Sequence, residues 1–188
     1  AAVYTTNLVK GAPLTVTKQH IADGFAQAVI CNSGNANTCN ANGIEIAKKM
    51  SELVAKELNI AATDVVVAST GVIGQPLNIE PIAIGVPQLA RELSVNGGEA
   101  AAEGIMTTDT VKKEIAVETE IGGKKVVMGG IAKGSGMIHP NMGTMLCFLT
   151  TDCAISAEMI KAALLETVNM SFNRISVDGD TSTNDSCI

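Results

Sequence analysis

Along the chain, apolar residues fall into short continuous runs, stripes at helical spacing, and one segment of strict alternation. Gln27–Cys31 (QAVIC) is a continuous apolar run, which predicts a short buried strand. Asn32–Gly43 is rich in Asn and Gly and reads as loop. Asn42 then suits a helix N-cap, with Glu45 as its capping-box partner. In the helix that follows, Ala47, Met50, Val54 and Leu58 share one face and Lys48, Lys49 and Glu52 the other. Asp64–Ser69 (DVVVAS) predicts a second buried strand ending at Thr70-Gly71, followed by a helical stretch interrupted by Pro81 and Pro87.

The alternating segment predicts a hairpin. Ile115, Val117 and Ile121 alternate with Glu114, Glu118 and Glu120, so one face is expected buried and one wet. Gly122-Gly123 supplies a two-residue turn, and the return strand runs through Lys125, Val126 and Val127, placing Glu120 opposite Lys125. Gly129–Gly143 reads as glycine-rich loop and Met145–Thr150 as an apolar strand. Ser156 suits the cap of a helix whose Ile160, Ala163, Leu164 and Val168 share a face. Arg174–Val177 is expected as a last short strand before the polar loop Asp178–Ser186. Strands in pairs mixed with helices point to a layered α/β domain with mixed sheets rather than a simple βαβ winding.

Composition narrows the class. Of 188 residues, 46% are hydrophobic but only 2% aromatic, so the core must be aliphatic. The net charge of −6, with no stripe of Lys and Arg, argues against a nucleic-acid surface. No apolar run approaches the roughly 20 residues needed to span a bilayer. The five cysteines (Cys31, Cys39, Cys147, Cys153, Cys187) form no CxxC pair, which suits reduced thiols in an intracellular protein. His20 and His139 have no neighbouring ligand pattern, so no metal site is expected. The chain begins at Ala1 without a signal-peptide pattern, and both ends read as cut from something longer.

Candidate chemistry is sparse. There is no Ser-His-Asp or Cys-His pattern, no GxSxG and no HExxH. One acyl-transfer solution needs no histidine: a threonine made N-terminal by chain cleavage carries its own base, because the freed α-amine lies beside Oγ. Such an amine has a pKa of about 7.7–8.0, so a large share is neutral near neutral pH. Pro140-Asn141-Met142-Gly143-Thr144 offers a small residue before a threonine at the start of a buried strand. On these residues alone, a plain loop-to-strand junction is the commoner use of Gly143-Thr144 and stays open.

Several longer motifs add a resemblance. Residues 134–152 (GSGMIHPNMGTMLCFLTTD) are similar to the autoprocessing segment of the ornithine acetyltransferase family, the bifunctional glutamate N-acetyltransferases known as ArgJ. Asn32–Asn37 (NSGNAN), Ser69–Gly74 (STGVIG), Met106–Thr110 (MTTDT) and Ser176–Asp185 (SVDGDTSTND) resemble further signatures of that family, in the same order. The resemblance implies a DmpA/ArgJ-like layered α/β/β/α sandwich. It implies cleavage between Gly143 and Thr144, with residues 1–143 belonging to an α chain and 144–188 opening a β chain, both incomplete. Thr144 would be the nucleophile, Thr70 and Gly71 would line an oxyanion hole, and Thr107, Lys133 and Thr144 would contact substrate. A lysine facing a carboxylate suits α-amino-acid substrates.

The implied reaction moves an acetyl group from N-acetylornithine to Thr144 and then to glutamate, in arginine biosynthesis. It needs no cofactor, although acetyl-CoA serves some members as donor. The resemblance also implies a heterotetramer of cleaved chains in the cytoplasm. The family usually carries Ala before the nucleophile, where this chain has Gly143. Its members are about twice as long, so little transferase activity is expected of these 188 residues alone. Two rival readings are a self-processing aminopeptidase of the same fold and an inactive fragment. A phosphate-binding loop at Gly130–Gly136 (GIAKGSG) fails the P-loop pattern, because Lys133 precedes its glycine.

Overall fold

A computed structural model describes residues 1–139 and 145–188. In chain order its elements are β1 (Val3–Tyr4), α1 (Ala12–His20), β2 (Ala28–Asn35), α2 (Gly43–Leu58), β3 (Val65–Val72), α3 (Glu80–Glu92), α4 (Gly98–Gly104), β4 (Lys113–Ile121), β5 (Lys124–Lys133), β6 (Leu146–Thr151), α5 (Ala157–Met170) and β7 (Ser186–Cys187). They divide into two units, one of Asn7–Gly97 and one of Ala1–Thr6 with Gly98–Ile188.

In the Asn7–Gly97 unit, β2 and β3 pair in parallel, from Ala28 opposite Val65 to Asn35 opposite Val72. Val65, Val66, Val67 and Ala68 are all buried, as expected of a parallel strand covered on both faces. Ala47, Met50 and Val54 of α2 join Val16, Ile30, Val65, Val67, Leu77 and Val86 in one core cluster, while Lys48, Lys49 and Glu52 stay exposed. The helical stripe read from the sequence is therefore the packed one. Asn42, however, makes no side-chain cap and no capping box. Its backbone (φ −99°, ψ 14°) lacks the extended conformation from which a cap side chain reaches back, and only its carbonyl engages, accepting from the Ile46 N–H.

Two more expectations are corrected here. The first residues of the expected Asn-rich loop, Asn32–Asn35, extend β2, because Ser69–Val72 continues as a partner beside them. The prolines do not interrupt α3: Pro81 sits in its first turn, where the missing N–H would have no helical partner anyway, and Pro87 removes a single bond inside a helix that continues to Glu92.

The edge of β3 turned away from β2 is covered by α1, which the sequence reading did not anticipate. Thr17 Oγ1 donates to the Val67 carbonyl at 2.7 Å and accepts the Val67 N–H at 2.8 Å. His20 Nδ1 donates to the Val65 carbonyl at 2.8 Å. One hydroxyl thus replaces a neighbouring strand for a residue that is itself buried.

In the other unit, a mixed sheet runs in the order β1-β7-β6-β5-β4, parallel only between β6 and β7. Cys147 and Cys187, adjacent on β6 and β7, form a small core with Val168 of α5, onto which Val3, Ala132, Leu164 and Phe172 pack. All five cysteines are free thiols. The hairpin has the predicted register, with Glu120 opposite Lys125, and Gly122 and Gly123 both take positive φ as a two-residue turn of this hand requires.

Its expected burial is absent: Ile115 is 66% exposed, Val117 50% and Ile121 56%. Alternation gives a strand a face that can be buried, but among the described residues no layer covers it. The cross-strand ion pair joins Lys125 to Glu118, the diagonal neighbour, rather than to Glu120. The return strand β5 runs on to Lys133 because β6 pairs with its second half, so Gly129–Lys133 is strand rather than loop.

Ser156 caps α5 as expected, accepting the Met159 N–H at 3.2 Å. Leu164 and Val168 pack inward while Ala163 stays exposed. Arg174–Val177 is not a strand. Phe172–Arg174 forms a short 3-10 turn, and Val177 gives its N–H to the Ile138 carbonyl at 2.8 Å. The terminal strand lies instead at Ser186–Cys187, starting on the last residue of the expected polar loop, where β1 and β6 flank it on both sides.

Replacing Thr17 by Val keeps the shape but strips Val67 of both partners. This costs about 2–4 kcal/mol, the usual penalty for orphaning buried polar groups. Thr17→Ser, which keeps the hydroxyl, costs under about 1.5 kcal/mol, the range for losing one buried methyl. Urea unfolding followed by circular dichroism separates the two.

Candidate functional site

Thr70 and Gly71 sit near the C-terminal end of β3, and β2 brings the Asn-rich motif alongside them. Asn32 lies opposite Ser69, Ser33 opposite Thr70, Gly34 opposite Gly71 and Asn35 opposite Val72. Gly71 adopts φ +123°, and a Cβ there would lie 2.4 Å from the Gly34 carbonyl carbon and 2.7 Å from the Asn35 nitrogen. No side chain fits this approach at residue 71, so the STGVIG motif needs its first glycine.

Asparagines then brace the strand ends. Asn32 Nδ2 donates to the Asn35 carbonyl at 2.7 Å, and Asn35 Oδ1 accepts the Asn37 N–H at 2.8 Å. Asn35 and Asn40 both donate to the Gln75 carbonyl, at 3.0 and 2.9 Å. Asn37, buried with φ +50°, donates to the Gly43 carbonyl at 2.8 Å. The NSGNAN segment, which the sequence left without a role, is the buttress of the strand end that carries Thr70 and Gly71.

Thr107 and Lys133 lie in the other unit, and Asp109 draws their segments together. Its carboxylate accepts the Thr107 N–H at 3.3 Å and the Gly134 N–H at 2.8 Å, and pairs with Lys113 Nζ at 2.5 Å. Thr108 Oγ1 shares a 2.6 Å hydrogen bond with Ser135 Oγ. Burial pushes the Asp109 carboxyl upward, but Lys113 and the N–H groups of Gly134 and Thr107 outweigh it and hold the group below its ordinary value. Lys133, at the end of β5, is only 4% exposed. That excludes a solvated loop lysine. Thr107 itself is exposed.

Gly143 and Thr144, the expected cleavage pair and nucleophile, lie outside the described residues. Their flanks are described. On one side, Asp178 accepts the N–H groups of Met137 and Ile138, the latter at 2.8 Å. On the other, Asp185 Oδ1 accepts the Met145 N–H at 2.7 Å, and the Ser186 N–H reaches the Met145 carbonyl at 3.0 Å. Asp109, Asp178 and Asp185 are the carboxylates that tie these segments together, and sequence reasoning missed them as individuals. The signal was present in the MTTDT and SVDGDTSTND motifs that contain them.

A model of the ArgJ family matches residues 1–188. The chain belongs to the ArgJ family. It is 53% identical over 186 residues to the arginine biosynthesis bifunctional protein ArgJ of Symbiobacterium thermophilum, covering 98% of this chain and 46% of that protein. Against the Bacillus anthracis ArgJ it is 50% identical over 190 residues, covering all of this chain and 47% of that protein. It therefore spans about half the length of the curated relatives it matches.

Among solved structures, the ArgJ of Bacillus halodurans superposes with a TM-score of 0.68 at 44% identity, covering 78% of this chain and 75% of that one. The ornithine acetyltransferase of Mycobacterium tuberculosis, solved with ornithine, gives 0.63 at 34% identity, covering 78% and 76%. The fold is thus the α/β architecture of ArgJ structures. Within it, β5 and β6, on either side of residues 143 and 144, are neighbours in one sheet. No helix among the described residues is long and apolar enough to cross a membrane.

Two outcomes follow for these residues. Gly71→Ala costs at least about 1–3 kcal/mol from backbone strain alone, before the clash with Gly34 is counted, and thermal unfolding reads the loss. For Asp109, a carboxyl depressed in the folded state adds stability that is complete above its unfolded pKa of about 3.9. That stability disappears as pH falls through the lower folded value. Asp109→Asn is therefore less stable than the parent at pH 7, and the gap narrows below pH 3.9; a gap independent of pH would show that the charge does not matter.

Proposed function

We propose that this chain carries the nucleophile-bearing part of an acetyltransferase that cleaves itself between Gly143 and Thr144 and then moves an acetyl group from N-acetylornithine to glutamate. The observation that carries this reading is the anchoring of Met145, the residue after Thr144, on both its N–H and its carbonyl at the entrance to β6. A new N-terminus at Thr144 would remain tied to a sheet whose neighbouring strand, β5, belongs to the other piece.

In the cleavage, Thr144 Oγ attacks the Gly143 carbonyl carbon, the Gly143–Thr144 amide bond breaks, and an ester to Oγ forms. Water then hydrolyses the ester, leaving a carboxylate on Gly143 and a free amine and hydroxyl on Thr144. In the transfer, that amine accepts the Oγ proton as Oγ attacks the acetyl carbonyl of N-acetylornithine, and the proton passes to the departing ornithine nitrogen. The glutamate amine next attacks the acetyl-threonine ester, releasing N-acetylglutamate and restoring the hydroxyl. Thr70 and Gly71, on a rigid strand end, serve as the oxyanion hole; losing one such donor typically costs about 10²–10³ in rate. Lys133 and Thr107 hold the substrate, with the buried ammonium facing its carboxylate.

The reaction as written uses no cofactor, and acetyl-CoA is a further candidate donor. The compartment is the cytoplasm, and the cleaved pieces pair into a heterotetramer. The chain spans about half of its relatives, so turnover by these residues alone is expected to be low.

Intact mass of the purified protein beside Thr144→Ala tests the reading. The expected result is two pieces, residues 1–143 and 145 onward preceded by Thr144, that co-purify, and one uncut species in the variant. Cleavage surviving Thr144→Ala would remove the nucleophile from this residue. In a chain of full family length, Lys133→Met should raise KM for N-acetylornithine more than it lowers kcat, and acetyl transfer should fall as pH drops below the α-amine range of about 7.7–8.0.

A further inference from the structure

Cys147 and Cys187 are register partners on the parallel strands β6 and β7, so their side chains leave the sheet on the same face. Both are buried free thiols, and they pack together with Val168 of α5 in one small core. The backbone fixes their register. The Cys147 carbonyl accepts the Ile188 N–H at 3.0 Å, and the Ile188 carbonyl accepts the Leu149 N–H at 2.8 Å. On the other side of the pair, the Met145 carbonyl accepts the Ser186 N–H at 3.0 Å. The Cys187 thiol hydrogen-bonds to that of Cys147, which holds Cys147 below its ordinary value; the same bond, helped by burial, pushes Cys187 up. A single buried cysteine is an ordinary small core residue. Two in register put both sulfurs within reach of one bond. Adjacent strands lie about 4.7–4.9 Å apart, inside the Cα separation of about 4.4–6.8 Å that a disulfide spans. The Cβ atoms of a disulfide stand about 3.5–4.5 Å apart, so β7, only two residues long, has to draw in by under about 1 Å. A bond made with such an adjustment is more easily reduced than a relaxed one.

We propose that Cys147 and Cys187 are a redox-sensitive pair, closed by hydrogen peroxide into a disulfide that staples β6 to β7 and reopened by a small thiol. Cys147 Sγ attacks one peroxide oxygen, the O–O bond breaks, and the departing hydroxide leaves with the Cys147 proton as water. Cys187 Sγ then attacks the sulfenic sulfur of Cys147. The S–O bond breaks, the S–S bond forms, and the Cys187 proton leaves with the hydroxide as a second water. Each sulfur gives up one electron and the peroxide takes two. Reduction runs through a mixed disulfide with the small thiol and returns both protons. The staple closes a loop that holds α5 and the Asp178–Asp185 segment, and it stabilises the fold by restricting the unfolded chain. Both cysteines follow Thr144 in the chain, so the bond forms whether or not the chain is cut before that residue. Burial makes the reaction slower than oxidation of the exposed Cys39, because peroxide has to enter through a local opening of β7.

The experiment treats the folded, fully reduced protein with hydrogen peroxide, digests it without reductant and maps the peptides by mass. The expected product is one pair of peptides joined through Cys147 and Cys187, lighter by two hydrogens than the two apart, and separated again by dithiothreitol. Oxidation should also raise the melting temperature by about 5–15 °C, reversibly. Cys147→Ala and Cys187→Ala should each lose both signatures, every variant being compared with its own reduced form. If neither variant folds, the peptide map of the parent still decides. Oxidation of Cys39 in the same sample shows that the peroxide has acted. Free thiols at 147 and 187 once Cys39 is oxidised would mean that the pair only fills the core, and overturn the inference. So would a sulfinic acid on Cys147 without a linked partner, a bond from either residue to another cysteine, or a link that forms only after the fold is lost.

Discussion

The constraint on which the Asn7–Gly97 unit depends is the contact of Gly71 with the Gly34 backbone, closer than a Cβ on residue 71 allows. It lets the parallel pairing of β2 and β3 continue beyond the apolar run, into residues that are polar or small. A sheet of two strands is marginal by itself. Here one edge is taken by the Thr17 hydroxyl and the His20 ring of α1, while α2 and α3 contribute to the aliphatic core around the sheet. The asparagines then fix the strand ends by local hydrogen bonds, which brace the backbone beside Thr70 and Gly71.

The unit of Ala1–Thr6 with Gly98–Ile188 is held on a different principle. Its buried apolar cluster is small, centred on Cys147, Val168 and Cys187. Order in its glycine-rich segments comes instead from carboxylates bonded to backbone N–H groups: Asp109 to Thr107 and Gly134, Asp178 to Met137 and Ile138, Asp185 to Met145. Bonds to an ionised acceptor are stronger than neutral ones, and they fix backbone without needing side chains to pack. Exposed pairs such as Lys125–Glu118 contribute far less, since water screens both partners. A site that needs glycine for close approach gives up the side chains that would otherwise rigidify it, and aspartates from neighbouring segments restore that rigidity.

Much of the fold was legible locally. The α2 stripe, the β3 run, the Gly122-Gly123 turn with its register and the Ser156 cap each follow from residues within one or two turns of each other. Legibility failed where a partner distant in sequence decided the outcome. Asn32–Asn35 became strand because Ser69–Val72 lay beside it, and Gly129–Lys133 because β6 did. Ser186–Cys187 became strand between β1 and β6, while Arg174–Val177, with a similar apolar content, found no ladder. At the site, residue types were readable from motifs, but the work of Asp109, Asp178 and Asp185 was not, since each acts on backbone 2 to 41 residues away.

The sequence by itself determined the family, the α/β class and the residues to examine, because glycines, prolines, caps and apolar periods act through local sterics and hydrogen bonding. Only the tertiary structure decided which polar strand ends pair, that Lys133 is buried, that the hairpin's apolar face is left exposed, and which carboxylates reach which N–H groups. The reason is physical: burial and charge-assisted bonding are properties of what the chain brings alongside a residue. No pattern within its own segment encodes the neighbour.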